Sequence, residues 1–508
     1  MSWHKLVIKD AARQLAGRII SALFGFLTIK IMTPYLWPLR YGDYSTILKY
    51  FAIWTALADL WLYVLAVKRL WKIKEEDPDP NHTQLKKEYW MFVWTRLFIM
   101  WIIYFVAIIV AYLLPAYTSN PYLVRGIPFG MIFSASFMFA GIQQLPLQIF
   151  WKMKYLSISL ITARLSQLII LIPVVYFIFK KVQFDWSTVS IIAFCAILFS
   201  VVASWIWQNI EIYFRSRKIL PLKIIFNRAF IKNIIWKNRQ YWVSYYLSSF
   251  HTLIVLLFLW WIFPTSWGFH YAGIRALALS LIEILLIIPS SLGNSLLHKI
   301  SNYSIENKRK SLWNLLTIIF WIWWIIAINF ALFSDQIILI VSWKEYLWTF
   351  EIFTKRWSNQ ILPFLWFVLR QSFVKQVFNY LFVATDKQNL LLWINAIGVV
   401  VWIIIWIYTI PKYWLLWWII TQLSLEFLFM AGAIIVSFNK KISPIVCGKR
   451  MFSLLSIIIW AWLVWFFVTQ YISMNILNFF LIAIILNAIL IFLSLPNIKK
   501  IARGLTFE

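Results

Sequence analysis

Eight ionisable residues stand inside stretches otherwise too apolar to hold them: Arg18, Asp59, Arg96, Arg164, Arg275, Glu283, Arg370 and Lys375. A charge near the bilayer centre costs roughly 2.5–3.5 kcal/mol on insertion scales, so each is expected to be paired or to line a polar path. Six of the eight are cationic. Arginine presents a planar fork of donors that matches phosphate or carboxylate oxygens two at a time. A buried basic excess therefore suits an anionic cargo in a cationic cavity. Arg275 and Glu283 are eight residues apart, about 80° around a helix, and can line one broad face. The two acids, Asp59 and Glu283, can line such a path or pair with a neighbouring base. Both readings of the group, cavity lining and structural ion pairing, stand at this stage.

Other chemistries find little footing. The five histidines are scattered with no ligand spacing, so no metal site is expected. Cys195 lies in an apolar run and Cys447 in a polar loop, which makes no disulfide framework. No G-x-x-x-x-G-K-[ST] motif is present, so the chain is not expected to hydrolyse ATP. No catalytic residue and no cofactor is assigned.

The elements that must position these charges follow from composition. Of 508 residues, 63% are hydrophobic, 20% aromatic and only 13% charged. Too little polar surface remains to face water, and apolar runs of about 20 residues recur, each long enough to cross roughly 30 Å of hydrocarbon. The expected fold is all-α: a polytopic membrane bundle of about fourteen transmembrane helices, the first at 12–33 and the last at 474–494. Barrel strands are excluded, because they are about 10 residues long and alternate in polarity. The basic N-terminus lacks a small-residue cleavage site and reads as leading into an uncleaved first span.

Net charge is +29, from 47 Lys and Arg against 18 Asp and Glu. In a soluble protein that would point to nucleic acid; here its distribution gives another cause. With both ends cytoplasmic, inner loops hold about four times as many Lys and Arg as outer loops, as the positive-inside rule demands. A membrane location with both termini cytoplasmic is expected, with membrane lipids as partners and no nucleic acid. The outer loops are too short for a catalytic domain. The longest inner link, RSRKILPLKIIFNRAFIKNIIWKNRQ from Arg215, mixes apolar and basic residues and reads as an interfacial helix or a solvated basic linker.

That link divides the chain into an N-lobe at 1–220 and a C-lobe at 221–450, with two further spans and a tail at 451–508. YGDYSTILKYFAIWTALADLWLYVLAVKRL from Tyr41 and WGFHYAGIRALALSLIEILLIIPSSLGNSLLHKI from Trp267 are weakly alike, each placing a Tyr, a basic residue and an acid after an aromatic-Gly turn. Two pseudo-symmetric six-helix lobes with the site between them is the architecture this implies. Pro128, Pro146, Pro173, Pro289, Pro363 and Pro411 lie in or at the ends of spans and can kink them.

Several segments resemble the multidrug/oligosaccharidyl-lipid/polysaccharide exporter superfamily, in particular its polysaccharide-biosynthesis, Wzx-type flippase branch. PYLWPLRYGDYS is similar to a family turn of the form L-G-P-x-x-Y-G-x-Y, and ADLWLYVLAVKRL to a D-L-G-L segment. LQIFWKMKYLSISLI resembles the link before span five, and YAGIRALALSLIEILLIIPSSL span eight. LIVSWKEYL is similar to an outer G-K-E-Y turn, and IPKYWLLWWIITQL to the P-x-Y-G-x-x-G entry to span twelve. The resemblance covers spans one to twelve. It implies a flippase that moves an undecaprenyl-pyrophosphate-linked oligosaccharide across a bacterial cytoplasmic membrane by alternating access, coupled to an ion gradient or the membrane potential through Asp59 or Glu283, for lipopolysaccharide O-antigen or other surface polysaccharide, with polysaccharide assembly proteins as partners. The alternatives are an ion-coupled drug or small-molecule exporter of the same superfamily, and a membrane polysaccharide polymerase or glycosyltransferase. The sugar, coupling ion and oligomeric state are not legible.

The departures share a pattern. Trp37, Trp61, Trp343, Trp414 and Trp417 stand where that family usually has glycine. The chain has 34 Trp and 13 Gly, whereas about 7% glycine, roughly 36 residues, is ordinary. An aromatic belt suits Trp90 and Trp186 but not Trp402, Trp406 and Trp462, which fall inside spans. Many of these tryptophans are therefore expected to be glycines in the living cell, encoded by UGA codons that the host reads as glycine.

Overall fold

The computed structural model describes residues 3–59, 62–76, 82–179, 190–223, 225–234, 305–332 and 388–439, with isolated residues elsewhere. Among them every regular element is helical: α1 Trp3–Asp59, α2 Leu62–Glu76, α3 Thr83–Leu113, the single turn α4 Pro115–Thr118, α5 Pro121–Ile149, α6 Met153–Pro173, α7 Ile191–Ser216, α8 Ile305–Leu332 and α9 Gln388–Asn439. Among the described residues, five stretches are long and apolar enough to cross a membrane: Ala16–Asp59, Thr83–Leu113, Pro121–Ile149, Met153–Phe177 and Ile191–Ser216. The chain divides into two compact units, Met1–Leu277 and Ala278–Glu508.

α1 is two arms rather than one rod. Trp37, flanked by Pro34 and Pro38, leaves helical geometry at φ 51°, ψ 163°. Before it, Gly17 lies against Ser157 near the start of α6, and the Ser157 hydroxyl donates to the Arg13 carbonyl at 3.0 Å. After it, Ile47 and Phe51 lie against Gly126 and Gly130 in the first turns of α5. Since α5 and α6 are consecutive helices joined by a short link, their starts lie at opposite ends, and the chain reverses at Trp37. The 44 residues of Ala16–Asp59 would span about 66 Å if straight, twice the hydrocarbon thickness. They provide two crossings, where the sequence suggests a loop between separate spans.

Sequence sets the other ends. Pro121 occupies the first turn of α5, and the Asn120 side chain accepts from the Tyr122 amide at 3.0 Å, the usual division of labour at a helix N-terminus. Ser190 caps α7 by accepting from the Ala193 amide at 3.2 Å. At Pro173, which cannot donate to the ladder, α6 passes into a π-helical turn over Val174–Phe179.

Close approach is what glycine supplies in this bundle. A Cβ at Gly126 would strike Ile47, and one at Gly130 would strike Phe51, so α5 and the second arm of α1 meet at small-residue distance. Some buried hydroxyls find partners within the protein, as a surrounding lipid phase favours. Tyr50 donates to the Ala107 carbonyl at 2.6 Å, and Thr55 and Tyr104 share a hydrogen bond at 2.8 Å.

The basic segment after α7 packs on the protein. Leu220, Phe230 and Ile234 join Leu85, Tyr89 and Phe92 in one apolar cluster. Trp90 donates its indole N–H to the Pro221 carbonyl at 2.7 Å, and Asn227 caps the helical turn by accepting from Phe230 N at 3.0 Å. Arg215, Arg217, Lys218, Lys223, Arg228 and Lys232 remain exposed.

In the second unit, Gly398 lies against the Phe429 ring and Gly432 against Ile394. A straight helix would separate residues 398 and 429 by about 46 Å, so α9 folds back on itself about a point near Tyr413 and Trp414. Asn329 on α8 and Asn487 exchange side-chain amide hydrogen bonds at 3.0 and 3.1 Å.

Candidate functional site

Four of the eight intramembrane charges, Arg18, Asp59, Arg96 and Arg164, are described; Arg275, Glu283, Arg370 and Lys375 lie outside the described residues. Asp59 is the last residue of α1 and Arg96 sits in the middle of α3. The structure brings them together: Arg96 Nη2 is 2.5 Å from Asp59 Oδ1. The arginine side chain is 6% exposed and the aspartate side chain 26%, so the pair opens on the carboxylate side.

The surroundings are shaped for the guanidinium. A Cβ on Gly141 of α5 would come within 2.9 Å of Arg96 Nη2 and 3.0 Å of Nη1, so that glycine leaves the space the charge occupies. Nη2 also donates to the Met138 sulfur at 3.6 Å. The Tyr63 ring of α2 lies 5.9 Å from the Arg96 carbon Cζ, and its hydroxyl donates to Gln148 of α5. Arg18, Arg96 and Asp59 all lie within electrostatic reach of that hydroxyl. Four helices thus converge on one polar centre inside an apolar bundle.

Arg96 is not saturated by this pairing. Its Nε and Nη1 are buried without a hydrogen-bond partner among the described residues. A buried donor left unmade costs roughly 1–3 kcal/mol, more when charged, so the site gains from any oxygen that reaches it. Nε and Nη1 face different edges of the planar guanidinium, so each can take one ligand oxygen, and a two-oxygen fork forms on either edge only with Nη2, the nitrogen that Asp59 holds. The Asp59 carboxylate and such a ligand would compete for the same cation.

Arg164 belongs to a separate cluster. Its Nη1 donates to Gln167 at 2.7 Å, and it lies within electrostatic reach of Tyr44. Two residues earlier on α6, Thr162 hydrogen-bonds Glu211 of α7 at 2.5 Å. At the other end of α5, Asp43 is fully buried and accepts from Arg40 and Asn120, both at 2.8 Å. The Arg40 guanidinium stacks over the Tyr122 ring at 3.6 Å. These bonds clamp the arm after Trp37 to the start of α5.

Sequence reasoning missed Tyr63, Gln148, Gly141 and Glu211, and also Glu426, which is 5% exposed within α9. The two glutamates were visible as acids within apolar runs. The neutral residues carried no signal, because nothing along the chain shows which of them faces Arg96.

The family model of polysaccharide biosynthesis proteins matches residues 7–272, a little over half of the chain. No curated protein matches the sequence at a significant level. Among solved structures, the chain is similar to the lipid II flippase MurJ in an inward closed conformation, at 15% identity and TM-score 0.63, over 98% of this chain and 100% of that one. It is similar to an inward-facing multidrug resistance MATE family transporter of the MOP superfamily at 11% identity and TM-score 0.55, over 87% and 95%. A eukaryotic MATE transporter gives 13% identity and TM-score 0.54, over 85% and 95%. Likeness at these identities establishes the fold, and the family match establishes kinship: the chain belongs to the polysaccharide biosynthesis protein family.

Proposed function

We propose that this protein is a flippase that carries a lipid-linked oligosaccharide, with an undecaprenyl-pyrophosphate carrier, from the cytoplasmic to the outer leaflet of a bacterial cytoplasmic membrane. In this reading fourteen spans form two six-helix lobes (1–220 and 221–450) with a two-span appendix at 451–508, both termini cytoplasmic. The anionic head enters a cationic cavity, while the lipid tail stays in the bilayer. Alternating access then exposes the cavity to each side in turn.

The observation that supports this most is Arg96, buried in α3 with two donors unspent beside a partly open carboxylate. A pyrophosphate that displaces Asp59 from Nη2 can fork two oxygens onto Nη2 and one of those donors. Asp59 is in this proposal the first ion-coupling candidate. Arg18, Arg164, Arg275, Arg370 and Lys375 complete the basic lining in this proposal, and Glu283 is the second coupling candidate. The MATE transporters share the fold, but a drug cation would favour acidic residues, and the intramembrane charge here is mostly basic.

The test is complementation. The gene, carrying glycine at the positions argued below, is expressed in a bacterium lacking its own polysaccharide flippase. Restored surface polysaccharide, with no gain in resistance to cationic drugs, is expected. Drug resistance without polysaccharide would overturn the proposal.

A further inference from the structure

Positive φ sorts the tryptophans of this chain into two populations. Among the described residues three non-glycine residues have positive φ: Trp37, His82 and Trp151; no described glycine does. Histidine is one of the types that visits the left-handed region with some frequency, and His82 does so at the N-cap of α3. A bulky indole does not. The two tryptophans hold conformations that belong to glycine, while the described glycines serve close helix packing.

Each position is demanding in its own way. Trp37 combines φ 51° with ψ 163°, a mirror-extended geometry that is essentially glycine's alone. It is also the residue at which α1 reverses. Trp151, at φ 56°, follows the end of α5. The Lys152 amide donates back to the Leu147 carbonyl at 2.7 Å, and the Trp151 amide to the Gln148 carbonyl at 3.2 Å. Those are the two bonds of a Schellman motif, and Trp151 stands at its left-handed position, usually glycine.

Other tryptophans do what only an indole can. Trp90 donates to the Pro221 carbonyl at 2.7 Å, and Trp321 to the Ser494 hydroxyl at 2.8 Å; both have ordinary helical backbones. The composition, 34 Trp against 13 Gly, fits a mixture of genuine tryptophans and misread glycines.

We infer that residues 37 and 151 are glycine in the protein as its host makes it, inserted at UGA codons that the host reads as glycine. Trp151 stands outside every glycine-bearing motif quoted above, so its backbone is an independent ground for the inference. The same decoding is expected at Trp414, near the point where α9 turns back. None of this depends on what the protein transports.

The experiment pairs the gene with the native protein. Codons 37 and 151 are read from the source DNA, and peptides spanning both positions are weighed after digestion of membranes from the host. TGA at codons 37 and 151, TGG at codons 90 and 321, and glycine masses at 37 and 151 are expected. TGG at codon 37 or 151, or a tryptophan mass at either position in native peptides, would overturn it.

Discussion

Arg96 on α3 holds Asp59, the final residue of α1, at 2.5 Å, and keeps its other two nitrogens unpartnered among the described residues. A pair meant only to neutralise a buried charge would be expected to saturate it. This one binds its cation at one corner and leaves the rest available.

Removing either partner therefore has different consequences. Asp59→Asn leaves a buried, uncompensated guanidinium and is expected to cost about 3 kcal/mol, at the low end for breaking a buried pair because the carboxylate is partly exposed. Arg96→Gln removes the costly charge itself and is expected to be less destabilising. Thermal unfolding of the purified protein in detergent measures both. Equal losses would mean that the pair is a simple mutual anchor.

Gly141 offers a finer probe of the same site. Gly141→Ala adds a Cβ 2.9 Å from Arg96 Nη2, and the flexible end of the arginine can yield by a small shift. Stability is expected to fall by about 1 kcal/mol or less, while transport falls at least tenfold because the guanidinium is displaced. Gly130→Ala meets the Phe51 ring instead and is expected to cost about 1–3 kcal/mol through overpacking. Comparing unfolding and transport for the two variants separates site from scaffold.

Backbone strain makes a third prediction. In the chain written with tryptophan, Trp37→Gly and Trp151→Gly are each expected to stabilise by about 1–3 kcal/mol, the usual cost of a non-glycine residue held in such a region. Trp37→Ala removes the ring but keeps a Cβ, and is expected to recover little. Trp90→Phe is expected to lose about 1 kcal/mol with its bond to Pro221. An alanine gain equal to the glycine gain would show that ring bulk, not φ, is the problem.

That the described elements are long apolar helices was legible in the sequence, because apolar length is a property read along a single chain. Asp59 and Arg96 were each visible as intramembrane charges, but their meeting depends on the register between α1 and α3, which no local pattern encodes. Tyr63 and Gln148 are 85 residues apart and are ordinary until seen beside a guanidinium. Trp37 was conspicuous because it interrupts a glycine motif. Trp151 was not, since only the backbone hydrogen bonds at the end of α5 show what that position requires.

The most direct measurement is translocation in proteoliposomes, with a fluorescent undecaprenyl-pyrophosphate-linked sugar and the protein bearing glycine at 37 and 151. Arg96→Gln is expected to lower the initial rate at least tenfold at unchanged protein insertion, and Arg96→Lys, which keeps the charge but not the two-oxygen fork, to recover only part of it. An Arg96→Gln protein that flips the lipid at the parental rate would contradict the account.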